Sequence, residues 1–277
     1  MITKFVGTMT AGTALCTAGA LCAFSPVIQS PVNLQSSAAI YHAPRQSLSP
    51  STSPKPRGAT STSPVSNLGW AASNWSGYAI TGSTYNDITG NWIVPAVSPS
   101  NKNTYSSSWI GIDGFNNSDL IQTGTEQDYV NGHAQYDAWW EILPAPETVI
   151  SSMTIAPGDH MYAHIHNNGN GTWTITLTDV TRNETFTTTQ SYSGPASSAE
   201  WIQEAPEVNG HIAPLANYGE TTFDPGTVNG GNPNLVPSDG GYMVQNNTVV
   251  SVPSNPDSDT DGFNVAYGST QPNPPAS

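Results

Sequence analysis

Apolar and polar residues alternate with a period of two in segment after segment of this chain. SSWIGIDG, DLIQTGTEQ, AQYDAWWEIL, HMYAHIHN, TWTITLTDV, ETFTTTQSY, TVVSVP and FNVAYG all show it, separated by clusters of Gly, Pro, Asn and Asp. A strand points successive side chains to opposite faces, whereas a helix needs an apolar stripe every three to four residues. No window shows a convincing stripe of that kind. GTWTITLTDVTRNETFTTT reads as a hairpin with Arg182-Asn183 in its turn. Many short strands over about 200 residues, with no internal repeat, predict an all-β chain: one antiparallel β-sandwich of two long sheets.

The N-terminal part has a different composition. Lys4 is the only charge before an apolar, small-residue run from Phe5 to Phe24. That is the anatomy of a signal peptide, expected over 1–25. A transmembrane anchor is the alternative, but the run is rich in Thr, Gly and Ala and only marginally long enough. Both cysteines, Cys16 and Cys22, lie inside it. The mature protein is then free of disulfides, Cys nucleophiles and Cys-ligated zinc, and depends on its core for stability. Residues 26–69 are rich in Ser and Pro and read as an extended or disordered propeptide or spacer. The folded domain is expected at 70–268, with a disordered tail over 269–277.

Charge divides at the same place. Four of the six basic residues precede residue 70, while all 20 carboxylates follow it, the first being Asp87. Only Lys102 and Arg182 oppose them in the domain. Such a domain binds neither nucleic acid nor an anionic membrane. A chain with few Lys and Arg also avoids self-repulsion in acid. At 9% charged residues it is less acidic than a halophilic surface requires. If buried carboxyls share protons, stability is greatest in acid and fades toward neutral pH.

Alternation assigns side chains to faces. Trp109 and Asp113 share a side, with Gly111 leaving space between them. Gln122, Gly124 and Glu126 share another, and Asp137, Trp139 and Glu141 a third. Polar groups beside Trp and Gly suit a concave sheet face that holds a ligand. HExxH, GxSxG and Asp-Thr/Ser-Gly are absent from the sequence. The pair His164/His166, with His160 nearby, lacks a carboxylate or Cys at helpful spacing, and no metal or cofactor is expected. Asp257-Ser258-Asp259-Thr260-Asp261-Gly262 resembles the start of a calcium loop, but its twelfth position is Gly268, so a turn is the better reading. Sequons occur at Asn74, Asn116, Asn170, Asn183 and Asn246. Glu200, in SSAEWIQE, is a carboxylate among Ala, Trp and Ile with almost no cation to pair with, and is a candidate general acid or base.

LIQTGTEQDY, QYDAWWEILP and AEWIQEAPE, in that order, resemble the glutamic peptidase (eqolisin) family. SNWSGYA, with Trp75, WIVP and SSWIGIDG are also similar to it. The match runs from about Ser73 to Tyr267. The resemblance implies a sandwich of the concanavalin A-like lectin/glucanase type and an endopeptidase active in acid. It implies Gln122 and Glu200 as a catalytic dyad, with Trp75, Trp109, Asp113, Glu126, Asp137, Trp139 and Glu141 lining a substrate cleft. A secreted, monomeric enzyme acting on proteins or peptides is expected. Its leader, with Arg45, Lys55 and Arg57, is expected to cover the acidic cleft at neutral pH. A glycosidase or lectin on the same sandwich is the alternative: Glu200 with Glu141 or Asp113 would supply paired carboxylates, and the Trp residues would stack on sugars. Gln122 in its motif argues against it, because a sugar hydrolase does not require that amide.

Overall fold

A computed structural model describes residues 39–59, 65 and 67–277 of the chain; the expected signal peptide lies outside them. In chain order the first strands are β1 (Ile40–Tyr41), β2 (Ser47–Leu48), β3 (Trp70–Ala72), β4 (Trp75–Thr81), β5 (Asp87–Ile93) and β6 (Ser107–Asp113). Then follow β7 (Leu120–Val130), β8 (His133–Ile142), β9 (Thr148–Val149), β10 (His160–Asn167), β11 (Thr172–Asp179), β12 (Glu184–Ser191) and β13 (Ser198–Glu204). The last are β14 (Glu207–Val208), β15 (His211–Ile212), β16 (Glu220–Val228), β17 (Gly240–Gln245), β18 (Thr248–Pro253) and β19 (Phe263–Tyr267).

Two antiparallel layers form the expected sandwich. One runs β12-β11-β10-β5-β16-β19 and the other β4-β13-β6-β7-β8-β9. They are continuous through β18 and β17, so the ladder turns from one layer into the other along that edge. The outer hairpin is as the alternation predicts. In β11, Trp173, Ile175 and Leu177 are buried, while Thr174, Thr176 and Thr178 face outward. Their hydroxyls meet those of Thr189, Thr187 and Thr185 on β12 at 3.1, 3.3 and 3.1 Å.

The core between the layers takes Ile88 and Trp92 from β5, Ala163 and Ile165 from β10, Ile110 and Ile112 from β6, and Trp201 from β13. Trp201 shows how closely the layers approach. A Cβ at Gly90 would come within 2.8 Å of its indole, and one at Gly226 within 2.7 Å. Its Nε1 donates to the Thr89 carbonyl at 2.8 Å. Two side-chain-free positions on the opposite layer thus form the slot for one large ring.

The segment before the domain differs from expectation. It is not free of the fold: β1 pairs with β14, and β2 pairs with β3. Arg57 N–H donates to the Ser269 carbonyl, and Gln271 N–H to the Arg57 carbonyl, both at 2.7 Å. The tail expected to be disordered therefore clips the leader, and Gln271 is buried there. Composition missed this because the contacts are backbone ladders, which need little apolar side-chain area. Asn74 is buried as well, bonded to the leader, and is not an exposed glycan acceptor. No helix among the described residues is long and apolar enough to cross a membrane.

Trp201→Ala empties the inter-layer slot and removes the Nε1 donor to the Thr89 carbonyl. Chemical denaturation is expected to show a loss of about 3–5 kcal/mol; a loss below about 1 kcal/mol would contradict the packing described.

Candidate active site

Strand register places the predicted residues in rows across β13, β6, β7 and β8. Glu200 lies opposite Gly111, Gly111 opposite Gln122, and Gln122 opposite Glu141. The next row is Ile202, Trp109, Gly124 and Trp139, and the one after is Glu204, Ser107, Glu126 and Asp137. Directly opposed residues in an antiparallel ladder share a face. That face is the outer one, away from the sandwich core, and carries its own apolar cluster including Trp75, Trp109, Leu120, Trp139 and Ile202. Glycine is needed in two rows. A Cβ at Gly111 would meet the Trp109 ring at 2.8 Å, and one at Gly124 the Ser108 carbonyl at 2.4 Å.

Gln122 is buried, and its Nε2 donates to Glu141 Oε2 at 2.6 Å and to the His42 carbonyl at 2.7 Å. Glu200 is also buried, and neither of its oxygens has a hydrogen-bond partner among the described residues. Gln122 Oε1 is likewise unpartnered. The two side chains share a row with only Gly111 between their strands, and no hydrogen bond joins them. Burial holds the Glu200 carboxyl well above its ordinary value; the adjacent Ser198 hydroxyl opposes this and the Asp113 charge adds to it.

The structure adds a residue that the sequence did not single out. His42, from the leader, is wholly buried and stacks on Trp139 with ring centroids 3.5 Å apart and planes 6° apart. Its Nδ1 lies 3.0 Å from Glu204 Oε2, and its Nε2 lies 3.1 Å from Glu126 and 3.2 Å from Glu147. Its backbone N–H donates to Glu141 Oε2 at 3.0 Å. Burial alone would lower the imidazole's proton affinity, but contacts with Glu126, Glu147 and Glu204 outweigh it and hold the ring well above the usual histidine value. Burial in turn raises Glu126 to about 7 against the pull of His42, and Glu141 to about 8. Asp128, behind Glu126, is raised by burial and by the Glu126 charge. Glu204 is no bystander: it accepts from Trp109 Nε1 at 2.8 Å as well as from His42.

The other predicted residues take distinct places. Trp75 Nε1 donates to the Ala43 carbonyl at 3.0 Å, and its ring meets Trp109 edge-on. Asp137 is exposed at the open end of β8. Asp113 does not face the cleft as a free carboxylate. Its Oδ2 accepts from Tyr192 and from Ala196 N–H, and its Oδ1 from Ser197 and Asn117, so it ties the loop before β13 to the end of β6. Arg45 and Lys55 of the leader take other partners. Arg45 Nε donates to the Phe115 carbonyl, and its guanidinium lies 3.8 Å from the Phe115 ring. Lys55 lies over Tyr242. Residues 40–44 fill the cleft, and a cavity of about 660 Å³ lies elsewhere, beside Ser98, Leu215 and Val250.

Among the described residues, three groups could bring ligand atoms to one ion: Asp87 with His164 and His166, His42 with Glu126 and Glu147, and Asp224 with Asp257 and Asp261. The first supplies the carboxylate that sequence spacing did not show, because β5 pairs with β10: His164 lies 2.7 Å from Asp87. In the third, Asp257 Oδ1 accepts from Asp261 and Gly262 N–H, which makes the segment a turn into β19.

The model of the Peptidase A4 family matches residues 73–267. Aspergillopepsin-2 of Aspergillus niger is 28% identical over 198 residues, 62% of this chain and 70% of the relative. Scytalidopepsin B of Scytalidium lignicola is 28% identical over 137 residues, 48% of this chain and 51% of the relative. Among solved structures, scytalido-glutamic peptidase with a transition state analog inhibitor is 25% identical at a TM-score of 0.62, covering 70% of this chain and 98% of that one. The aspergilloglutamic peptidase of Aspergillus niger is 25% identical at a TM-score of 0.50, covering 59% and 99%. The family match sets the carbohydrate-active alternative aside. With the outer-face rows of β13, β6, β7 and β8 inside the matched span, the chain belongs to the Peptidase A4 family, the glutamic peptidases.

Proposed function

We propose that this protein is a secreted endopeptidase that works in acid, with Glu200 as general base and acid and Gln122 as the oxyanion donor. The observation that carries this reading is the buried row itself. Two unpartnered carboxylate oxygens and an unpartnered amide oxygen share one row, in a chain of this family. Leaving such groups buried without partners costs about 1–3 kcal/mol each, which stability alone does not repay.

The chemistry follows from the residue types. Ionised Glu200 takes a proton from water as the water oxygen attacks the substrate carbonyl. It then gives the proton to the leaving amine. Gln122 presents Nε2 to the oxygen on which charge develops. Its amide is held by Glu141, which accepts through a carbonyl oxygen whether ionised or protonated. A neutral donor keeps its role in acid, where a second carboxylate would be mostly protonated. The sequence supports secretion through its N-terminal run.

The leader acts as an inhibitor in this reading, held by His42 in place of the arginines and lysine. Its protonated ring lies against Glu126, Glu147 and Glu204, with Glu141 on its backbone and Asp128 and Asp137 nearby. His42 pulls on these carboxylates, but burial is the larger effect and leaves Glu126 and Glu141 raised, so by linkage the leader takes up protons as it binds and holds less tightly as pH rises through about 7. It also buries Glu200, which favours the protonated form that cannot accept a proton from water.

Stability has the same sign. Glu126, Glu141, Glu200 and Asp224 have raised folded-state values, Asp224 to about 6 through burial and then Asp257, Asp261 and Asp259. A raised carboxyl binds more protons in the folded chain than in the unfolded one, so its contribution is complete below about 4 and is lost as pH rises through the folded value. His42, also raised, fades in the same direction.

Three outcomes check this. Glu200→Gln and Gln122→Ala are each expected to cut casein digestion at pH 2–4, with pepstatin present, by at least about 10²-fold, with unchanged circular dichroism; near-normal turnover in either variant sinks the dyad. The synthetic 39–57 peptide is expected to slow initial casein hydrolysis more strongly at pH 4 than at pH 6, and equal or absent inhibition counts against the leader's role. Thermal melts are expected to give a Tm that falls from pH 4 to pH 8; a higher Tm at pH 8 contradicts the proton-sharing account.

A further inference from the structure

The outer face of β5 and β10 carries side chains that the peptidase reading does not use. His164 and His166 are two residues apart on β10, so both point outward, with Ile165 between them in the core. Strand β5 runs antiparallel beside β10, and register sets Asp87 directly opposite His166 and Thr89 opposite His164. His164 Nε2 lies 2.7 Å from Asp87 Oδ2, and His166 Nδ1 lies 3.6 Å from the same oxygen. One ligating atom from each residue falls within 4.8 Å of the other two.

These spacings suit one metal ion. Ligands of a tetrahedral zinc, each about 2.0–2.2 Å from it, stand about 3.3–3.6 Å apart, so the His164–Asp87 contact needs to open by roughly 0.6 Å. Two imidazoles with one carboxylate favour zinc or copper, whereas calcium and magnesium take oxygen ligands. The side chains of His164, His166 and Asp87 are 34%, 48% and 26% exposed, which gives an ion a way in and leaves room for water as a fourth ligand.

The backbone beneath the group is fixed on both sides. Asn167 of β10 donates through its N–H to the Asn86 carbonyl at 2.8 Å and through Nδ2 to Asn86 Oδ1 at 2.9 Å. Asn229 N–H donates to the Asp87 carbonyl, and Asn86 N–H to Asn229 Oδ1, both at 2.9 Å. Ligands placed on paired strands keep their spacing better than ligands on loops. The three also come from two strands that are distant in sequence, so an ion held between them ties β5 to β10.

We propose that Asp87, His164 and His166 bind one divalent ion of the zinc and copper class, and that this ion clamps the two strands together on the layer opposite the catalytic row. An imidazole ligates only without its proton, so the ion is held near neutral pH and released in acid. The titratable groups that share this face are Asp87 on β5 and His160 and Tyr162 on β10. Strands β11 and β16 present Thr174, Thr176 and Thr227, which do not titrate. The clamp therefore works in the pH range where the raised carboxyls of the cleft contribute least to stability.

The test is metal binding. Full-length protein is stripped with EDTA, exchanged into chelator-free buffer at pH 7.5 and titrated with zinc chloride by calorimetry. His164→Ala, His166→Ala and Asp87→Asn variants are run beside it, with His160→Ala as the control. Wild type and His160→Ala are expected to bind zinc equally. Each of the other three is expected to bind at least about tenfold more weakly, since even the groups that orient metal ligands are worth about 10–100-fold. Zinc is also expected to raise the Tm of wild type at pH 7.5, with EDTA reversing the gain, and to leave it unchanged at pH 4. His166 is the most exposed of the three, so a loss of binding in His166→Ala with its metal-free Tm intact separates ligation from misfolding. No zinc binding by wild type overturns the inference. So does equal binding by His164→Ala and His166→Ala, which would place the ion elsewhere, or binding that persists at pH 4.

Discussion

Carboxylates can be buried side by side only if protons or a cation offset their charge, and this domain has almost no cations. Arg182 is occupied by Asp159 and Asp179 on the far hairpin, and Lys102 is exposed in a loop. Among the described residues, the acidic cleft is met by one imidazole, that of His42. That ring ties together groups from β7, β8, β13 and the turn after β8. Remove it, and Glu126, Glu141 and Glu204 must take up protons or reach water. The placement of the leader over this face depends on that one arrangement.

Strand β13 shows how the arrangement reaches into the fold. All seven of its residues are buried. Ala199 and Trp201 face the inter-layer core, whereas Glu200, Ile202 and Glu204 face a surface that the leader covers. The strand is therefore an interior element with one polar side, and its carboxylates have lost solvent on a face that would otherwise be open. Gly111 and Gly124 complete the geometry by what they lack. Without their bareness Trp109 could not lie across the row, and its indole could not reach Glu204.

Much of this was legible in the sequence. Alternation alone gave the faces: Trp109, Gln122 with Glu126, and Trp139 with Glu141 are found on the sides expected. The hairpin of β11 and β12 also follows from its pattern. What was not legible depends on long-range partners. His42 sits in a Ser/Pro-rich stretch, and its carboxylates lie 84 to 162 residues away in sequence, so no local spacing marks it. Asp113 reads as a cleft residue by alternation, yet its backbone enters the left-handed region at φ 75° and its carboxylate turns to the loop behind. Asp87 meets His164 only because β5 and β10 are neighbours. In each case the missing information was strand order, which a period-two pattern does not encode.

The threonine rows of β11 and β12 have a meaning beyond solubility. An acid-dwelling surface built on ion pairs would lose one partner of each pair as its carboxylates protonate. Here the strands are laced by hydroxyl meeting hydroxyl at Thr174–Thr189, Thr176–Thr187 and Thr178–Thr185, and the same device recurs between Thr89 and Thr227 at 2.7 Å. Hydroxyls carry no charge across the whole range in which the cleft titrates. The hairpin of β11 and β12 is thus held by contacts that do not titrate, while the charged groups of the same face, Asp87 with His164 and His166, lie on the neighbouring strands β5 and β10.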